Sequence, residues 1–68
     1  MTHDRAIQII YVKQKISKED AEAIFEERIA IKTFDAGISY EDAYRQAFRE
    51  LTGQEYQGDV PENEGAVP

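Results

Sequence analysis

Ile16-Ser17-Lys18-Glu19-Asp20-Ala21 returns twenty-two residues later as Ile38-Ser39-Tyr40-Glu41-Asp42-Ala43. Each copy is a helix-start signal. The serine oxygen accepts from an amide three residues on, the acids complement the positive end of the helix, and the flanking apolar residues fold over the cap. Two such signals one helix apart predict two helices joined by a turn. The earlier should run from Ser17 to about Ala36, where Gly37 supplies the left-handed position that closes a helix. The later should run from Ser39 to near Thr52, with Gly53 as its stop. The link Asp35-Ala36-Gly37-Ile38-Ser39 is short, so the pair is expected as an antiparallel helical hairpin with Ile38 turned inward over Ala43.

The later helix carries one clean stripe: Ala43, Tyr44, Ala47, Phe48 and Leu51 share a face. The earlier one is less decided. At about 100° per residue, Ile24, Ile31 and Phe34 form one apolar group and Ala21, Phe25 and Ile29 a second, with Arg28, Lys32 and Asp35 between. Two groups suit a central helix touched by two neighbours, or a helix that keeps one group for another chain. The expected core is Ile9, Val12, Ile24, Ile31, Phe34, Ile38, Tyr44, Ala47, Phe48 and Leu51. That leaves Phe25 and Ile29 as the candidate partner-binding face, with Glu22, Glu26 and Glu27 beside it. Glu27 faces Ile31, and Arg28 with Lys32 is a like-charge pair one turn apart. Packing, not ion pairing within the helix, must therefore support it.

Upstream, Ala6-Ile7-Gln8-Ile9-Ile10-Tyr11-Val12 is rich in β-branched residues and would suit a strand. No second strand candidate exists to pair with it, so a helix from about Asp4 to Gln14 is expected, the strand being tenable only against a partner. Downstream, residues 54–68 combine Gly58, Pro61, Gly65 and Pro68 with acids, which predicts a disordered tail. The division is then a helical domain over 1–53 and an acidic tail over 54–68, and the fold class is all-α with three helices.

The net charge of −6 is unevenly spread. Residues 1–52 hold ten acids and eight bases, giving −2, and residues 53–68 hold four acids and no base, giving −4. Acidity disfavours non-specific binding to nucleic-acid phosphates and to anionic membrane surfaces. There is no cysteine. No disulfide supports a core that, at this size, buries only about 60% of the unfolded surface. No leader-like opening and no apolar run near the roughly 20 residues of a membrane span is present. A soluble protein of a bacterial or host-cell cytoplasm is expected.

Little in the chain points to catalysis or to a cofactor. His3 is the lone histidine and sits at an end expected to fray. Ser17 and Ser39 are the only serines, and both cap helices. No Gly-rich phosphate loop and no metal-ligand spacing occurs. Direct DNA binding would fall to Lys13, Lys15 and Lys18 at the first junction and to Arg45 and Arg49 on the last helix, but Glu41 and Asp42 stand where a recognition helix wants bases. The inverse reading is an acidic DNA mimic presenting Glu19, Asp20, Glu22, Glu26, Glu27, Glu41 and Asp42.

The stretch Glu27-Arg28-Ile29-Ala30-Ile31, followed by Asp35-Ala36-Gly37-Ile38-Ser39-Tyr40-Glu41-Asp42-Ala43 and Ala47, resembles a short segment of bacterial, plasmid and phage proteins, some linked to DNA replication. There the pattern runs Glu-Arg-x-Ala-Ile, a spacer, Asp-Gly-Gly-Leu, then a polar cap and Glu-Ala. This chain departs from it at Ala36 and Ile38. The resemblance covers about a third of the chain and carries over no catalytic or binding residue. It implies a mobile-element setting and a helper module. The expectation is a non-enzymatic interaction module, an accessory protein that binds another protein such as a host nucleic-acid enzyme, with a homodimer as a further option.

Overall fold

A computed structural model describes residues 1–61. Three helices follow one another: α1 (His3–Gln14), α2 (Lys18–Phe34) and α3 (Tyr40–Thr52). The two serine caps act as the repeat requires. The amide of Asp20 donates to Ser17 Oγ at 3.1 Å and that of Asp42 to Ser39 Oγ at 3.3 Å. Thr2 caps α1 in the same manner, accepting from the Arg5 amide at 3.2 Å, so His3 lies inside a capped helix and not at a frayed end. The segment over residues 6–12 is helical, which removes the strand alternative.

Each helix has a distinct stop. α3 ends on Gly53, left-handed at φ 73°. α2 ends at Phe34, two residues before the expected Ala36; Gly37 turns at φ 66° and the Ile38 amide bonds back to the Lys32 carbonyl. α1 ends on Lys15, which adopts φ 57° without being glycine. The amides of Lys15 and Ile16 both return to the Tyr11 carbonyl, satisfying it as a Schellman-type closure does.

α2 and α3 are antiparallel, because Lys32 reaches Gln46 while Arg28, one turn earlier, reaches Glu50, one turn later. α1 lies across both and runs with α3: His3 meets Tyr44 and Gln14 donates to the Leu51 carbonyl at 2.6 Å. The core joins Ala6, Ile7 and Ile10 of α1, Ala21, Phe25 and Ile29 of α2, and Ala43, Tyr44, Ala47, Phe48 and Leu51 of α3. Tyr44 stands at its centre, with Phe25 edge-on at 4.7 Å and Tyr56 edge-on at 5.1 Å between ring centroids. Such geometry suits the ring quadrupoles.

Three expectations about packing are corrected. Phe25 and Ile29 are core residues, at 0% and 6% exposure, not a free face. Val12, Ile31 and Phe34, expected inside, are exposed at 61%, 51% and 85%. Ile9, Ile24 and Ile38 are only partly buried against the core. The reason lies in the partner surface. Tyr44 offers an edge that Phe25 fills, and Ala21 one turn earlier adds no bulk beyond a methyl group.

A further correction concerns the tail. Residues 54–60 are not an unpacked extension. Tyr56 is buried against Tyr44 and Phe48, and Val60 packs partly on the same core. Arg45 donates to the carbonyls of Tyr56 (3.3 Å) and Gly58 (2.7 Å), Tyr56 donates through its hydroxyl to the Met1 carbonyl (2.9 Å), and the Met1 amino group donates to the Gln57 carbonyl (2.9 Å). The packed body thus extends past Gly53 to about Val60. The disorder expected for residues 62–68 lies outside the described residues.

Candidate interaction face

With Ala21, Phe25 and Ile29 turned inward, the opposite side of α2 carries Ile24, Glu27, Ile31 and Phe34. Their spacing of 3, 4 and 3 residues makes a single seam along the helix. Ile31 and Phe34 are the exposed large apolar side chains of α2. Beside the seam, Arg28 and Lys32 both reach across to one α3 carboxylate. Arg28 Nη1 lies 3.0 Å from Glu50 Oε1, and Lys32 Nζ lies 2.7 Å from Glu50 Oε2. Two like charges that would repel along α2 therefore share one anion on α3. The hydrogen bond from Lys32, then that from Arg28, holds the Glu50 carboxyl below the usual glutamate range despite some desolvation. Ile24, Glu27, Arg28, Ile31, Lys32 and Glu50 line a shallow groove of about 320 Å³.

The acidic residues assigned to this region separate. Glu22 is half-buried, while Glu26 and Glu27 are exposed. Only Glu27 belongs to the seam. Among the described residues no group of three or more histidine, aspartate or glutamate side chains is placed to hold a metal ion.

The basic residues divide too. Lys13, Lys15 and Lys18 are exposed at the α1–α2 junction. Arg45 is committed to the carbonyls of Tyr56 and Gly58 and lies 5.9 Å from the Tyr56 ring centroid. Arg49 lies 3.8 Å from Glu55. The arginine pair on α3 thus belongs to the attachment of residues 54–60 and to a surface ion pair.

His3 is the titratable group that sequence reasoning undervalued. Its Nδ1 lies 2.7 Å from the Tyr44 hydroxyl, and its ring stacks on Phe25 at 6.1 Å with planes 14° apart. Burial, reinforced by neighbouring Tyr56, pushes the Tyr44 phenol far up. Burial, then Glu26 and Tyr56, also raises Tyr40. Both hydroxyls stay protonated at neutral pH. The cluster acts as a packed polar contact inside an aromatic core.

No helix among the described residues is long and apolar enough to cross a membrane. No family model, no curated protein and no solved structure matches the chain.

Proposed function

We propose that this chain is a non-enzymatic protein-binding module and that the outer seam of α2 is its docking surface. The observation that supports it is the placement of Ile31 and Phe34, 51% and 85% exposed on one line, in a chain too small to leave apolar surface unburied at no cost. The rim of Arg28, Lys32, Glu50 and Glu27 gives orientation at the edge of an apolar contact. Arg45 and Arg49 are engaged within the chain, which weighs against the DNA-binding alternative.

The bacterial, plasmid and phage segment that residues 27–47 resemble supplies the class of partner to look for, a host nucleic-acid enzyme. The test is capture from bacterial lysate by the full chain, with Ile31→Asp and Phe34→Asp as controls whose helicity is checked by circular dichroism. A protein enriched by the natural chain and lost with both variants supports the reading. Retention by both variants overturns it. Retention that weakens with salt and with Glu26→Gln and Glu27→Gln moves the function to carboxylate mimicry of a phosphate backbone.

A further inference from the structure

The outer seam of α2 names its own occupant through its charges and its spacing. Glu27 and Glu50 contribute two negative charges to the rim, Arg28 and Lys32 two positive ones. The rim is neutral on a chain whose net charge is −6. Two copies of so acidic a chain repel overall; at this rim they meet without a net charge of their own, while a strongly acidic or basic partner finds no net charge to match. The 3-4-3 spacing of Ile24, Glu27, Ile31 and Phe34 also fits one other helix lying nearly parallel to α2, not a flat or globular surface.

Resting on the docking-surface reading above, we infer that the occupant is a second copy of this chain, laid antiparallel along α2 about a two-fold axis level with Ile29, on the side of the helix away from the core. In that register Ile24 of one protomer meets Phe34 of the other, and Ile31 covers the aliphatic stem of Glu27. The half-buried Ala30 of both copies lies near the axis, where its small side chain lets the helices close. A parallel pairing in register would set Glu27 directly against Glu27. The antiparallel pairing offsets them by about 6 Å along the helices. The contact is smaller than a standard stable interface, so a dissociation constant on the order of 10–100 µM is expected.

Sedimentation equilibrium of the full chain from about 10 µM to about 1 mM brackets this constant. The mass should rise from that of the 7.8 kDa chain toward twice that value. Ile31→Glu, checked for unchanged helicity, should weaken association at least about tenfold, since it costs a buried apolar contact and adds like charges. The absence of cysteine allows a clean test of direction. With a short bismaleimide, Ala30→Cys should cross-link in the dimer. Lys18→Cys should not, because the two positions stand about 33 Å apart along antiparallel helices. A natural chain that stays monomeric at 1 mM overturns the inference, as does efficient cross-linking through Lys18→Cys. If the chain is monomeric yet loses a lysate partner with Ile31→Asp, the docking surface stands and only the second copy falls. If it is monomeric and captures nothing, both fall.

Discussion

The Tyr44 hydroxyl and His3 Nδ1 lie 2.7 Å apart, tying the middle of the core to the first turn of α1. Tyr44 is fully buried, and the Tyr56 hydroxyl is its other polar neighbour. Tyr44→Phe should lower stability by about 1 kcal/mol, the usual net value of one hydrogen bond. His3→Ala should cost more, about 1–3 kcal/mol, because it removes the bond to a buried hydroxyl and also the stack on Phe25. Urea unfolding of both single variants and the double variant gives the coupling, expected near 1 kcal/mol. Strict additivity would mean that the two groups do not interact.

Tyr56 and Arg45 should matter for stability and not for binding. Tyr56→Ala removes a buried aromatic and is expected to cost about 3 kcal/mol, a large share of the roughly 3–10 kcal/mol available to a domain of this length. Arg45→Ala loses two carbonyl contacts in a half-exposed setting and should cost about 1 kcal/mol. Thermal and urea unfolding would measure both. Full stability in Tyr56→Ala would mean that residues 54–60 do not belong to the folded body.

Lys15 occupies a left-handed conformation at φ 57° and ψ 45°, which strains a side chain bearing Cβ. Lys15→Gly relieves that strain at the closing position of α1, against some added freedom of the unfolded chain. A net gain of about 0.5–1 kcal/mol is expected. A loss on urea unfolding would mean that the lysine side chain contributes more than the backbone does.

Glu50 gives the fold an acid-sensitive contact. Its folded carboxyl titrates below its unfolded counterpart because Lys32 and Arg28 bond the charged form. Its contribution is therefore complete above the unfolded value, near pH 4.3, and disappears as pH falls through the folded value. The side chain is 42% exposed, so the contribution stays under about 1 kcal/mol and shrinks with salt. Glu50→Gln should match the natural chain at a pH well below the folded value and be less stable at pH 6 in low salt. An equal difference at both values would rule out the carboxylate.

The parts of this fold written in short-range chemistry were legible before any coordinates. Ser17, Ser39, Gly37 and Gly53 act through their own neighbours, so the caps, the turn and the hairpin could be placed from the residues alone. The single stripe of α3 left one way to face the core. On α2 two apolar groups of three shared a helix, and periodicity ranks neither. The choice fell to Phe25 because it meets Tyr44, a contact between residues nineteen apart in sequence. Phe25 and Ile29, expected as a free face, are consequently core residues, and the exposed apolar side of α2 is the one that carries Ile31 and Phe34. Thr2 escaped notice because threonine is common and nothing repeats it. Tyr56 was hidden by the acids and glycines around it. The usable signal was a large aromatic just past a helix-ending glycine, with Arg45 two turns before that glycine to bind its backbone.

The hydrogen bonds that Met1 makes with Tyr56 and Gln57 join positions 55 and 56 residues apart. They act as a clasp that turns the chain into a ring of fifty-odd residues. Closing so large a ring has a higher entropic cost than closing the five-residue link between α2 and α3. During folding the hairpin can form while the clasp is open. Opening it would bare the Tyr44 and Phe48 rings while both serine caps stay intact. The seal over these two rings is thus made by contacts distant in sequence and not by a helix end.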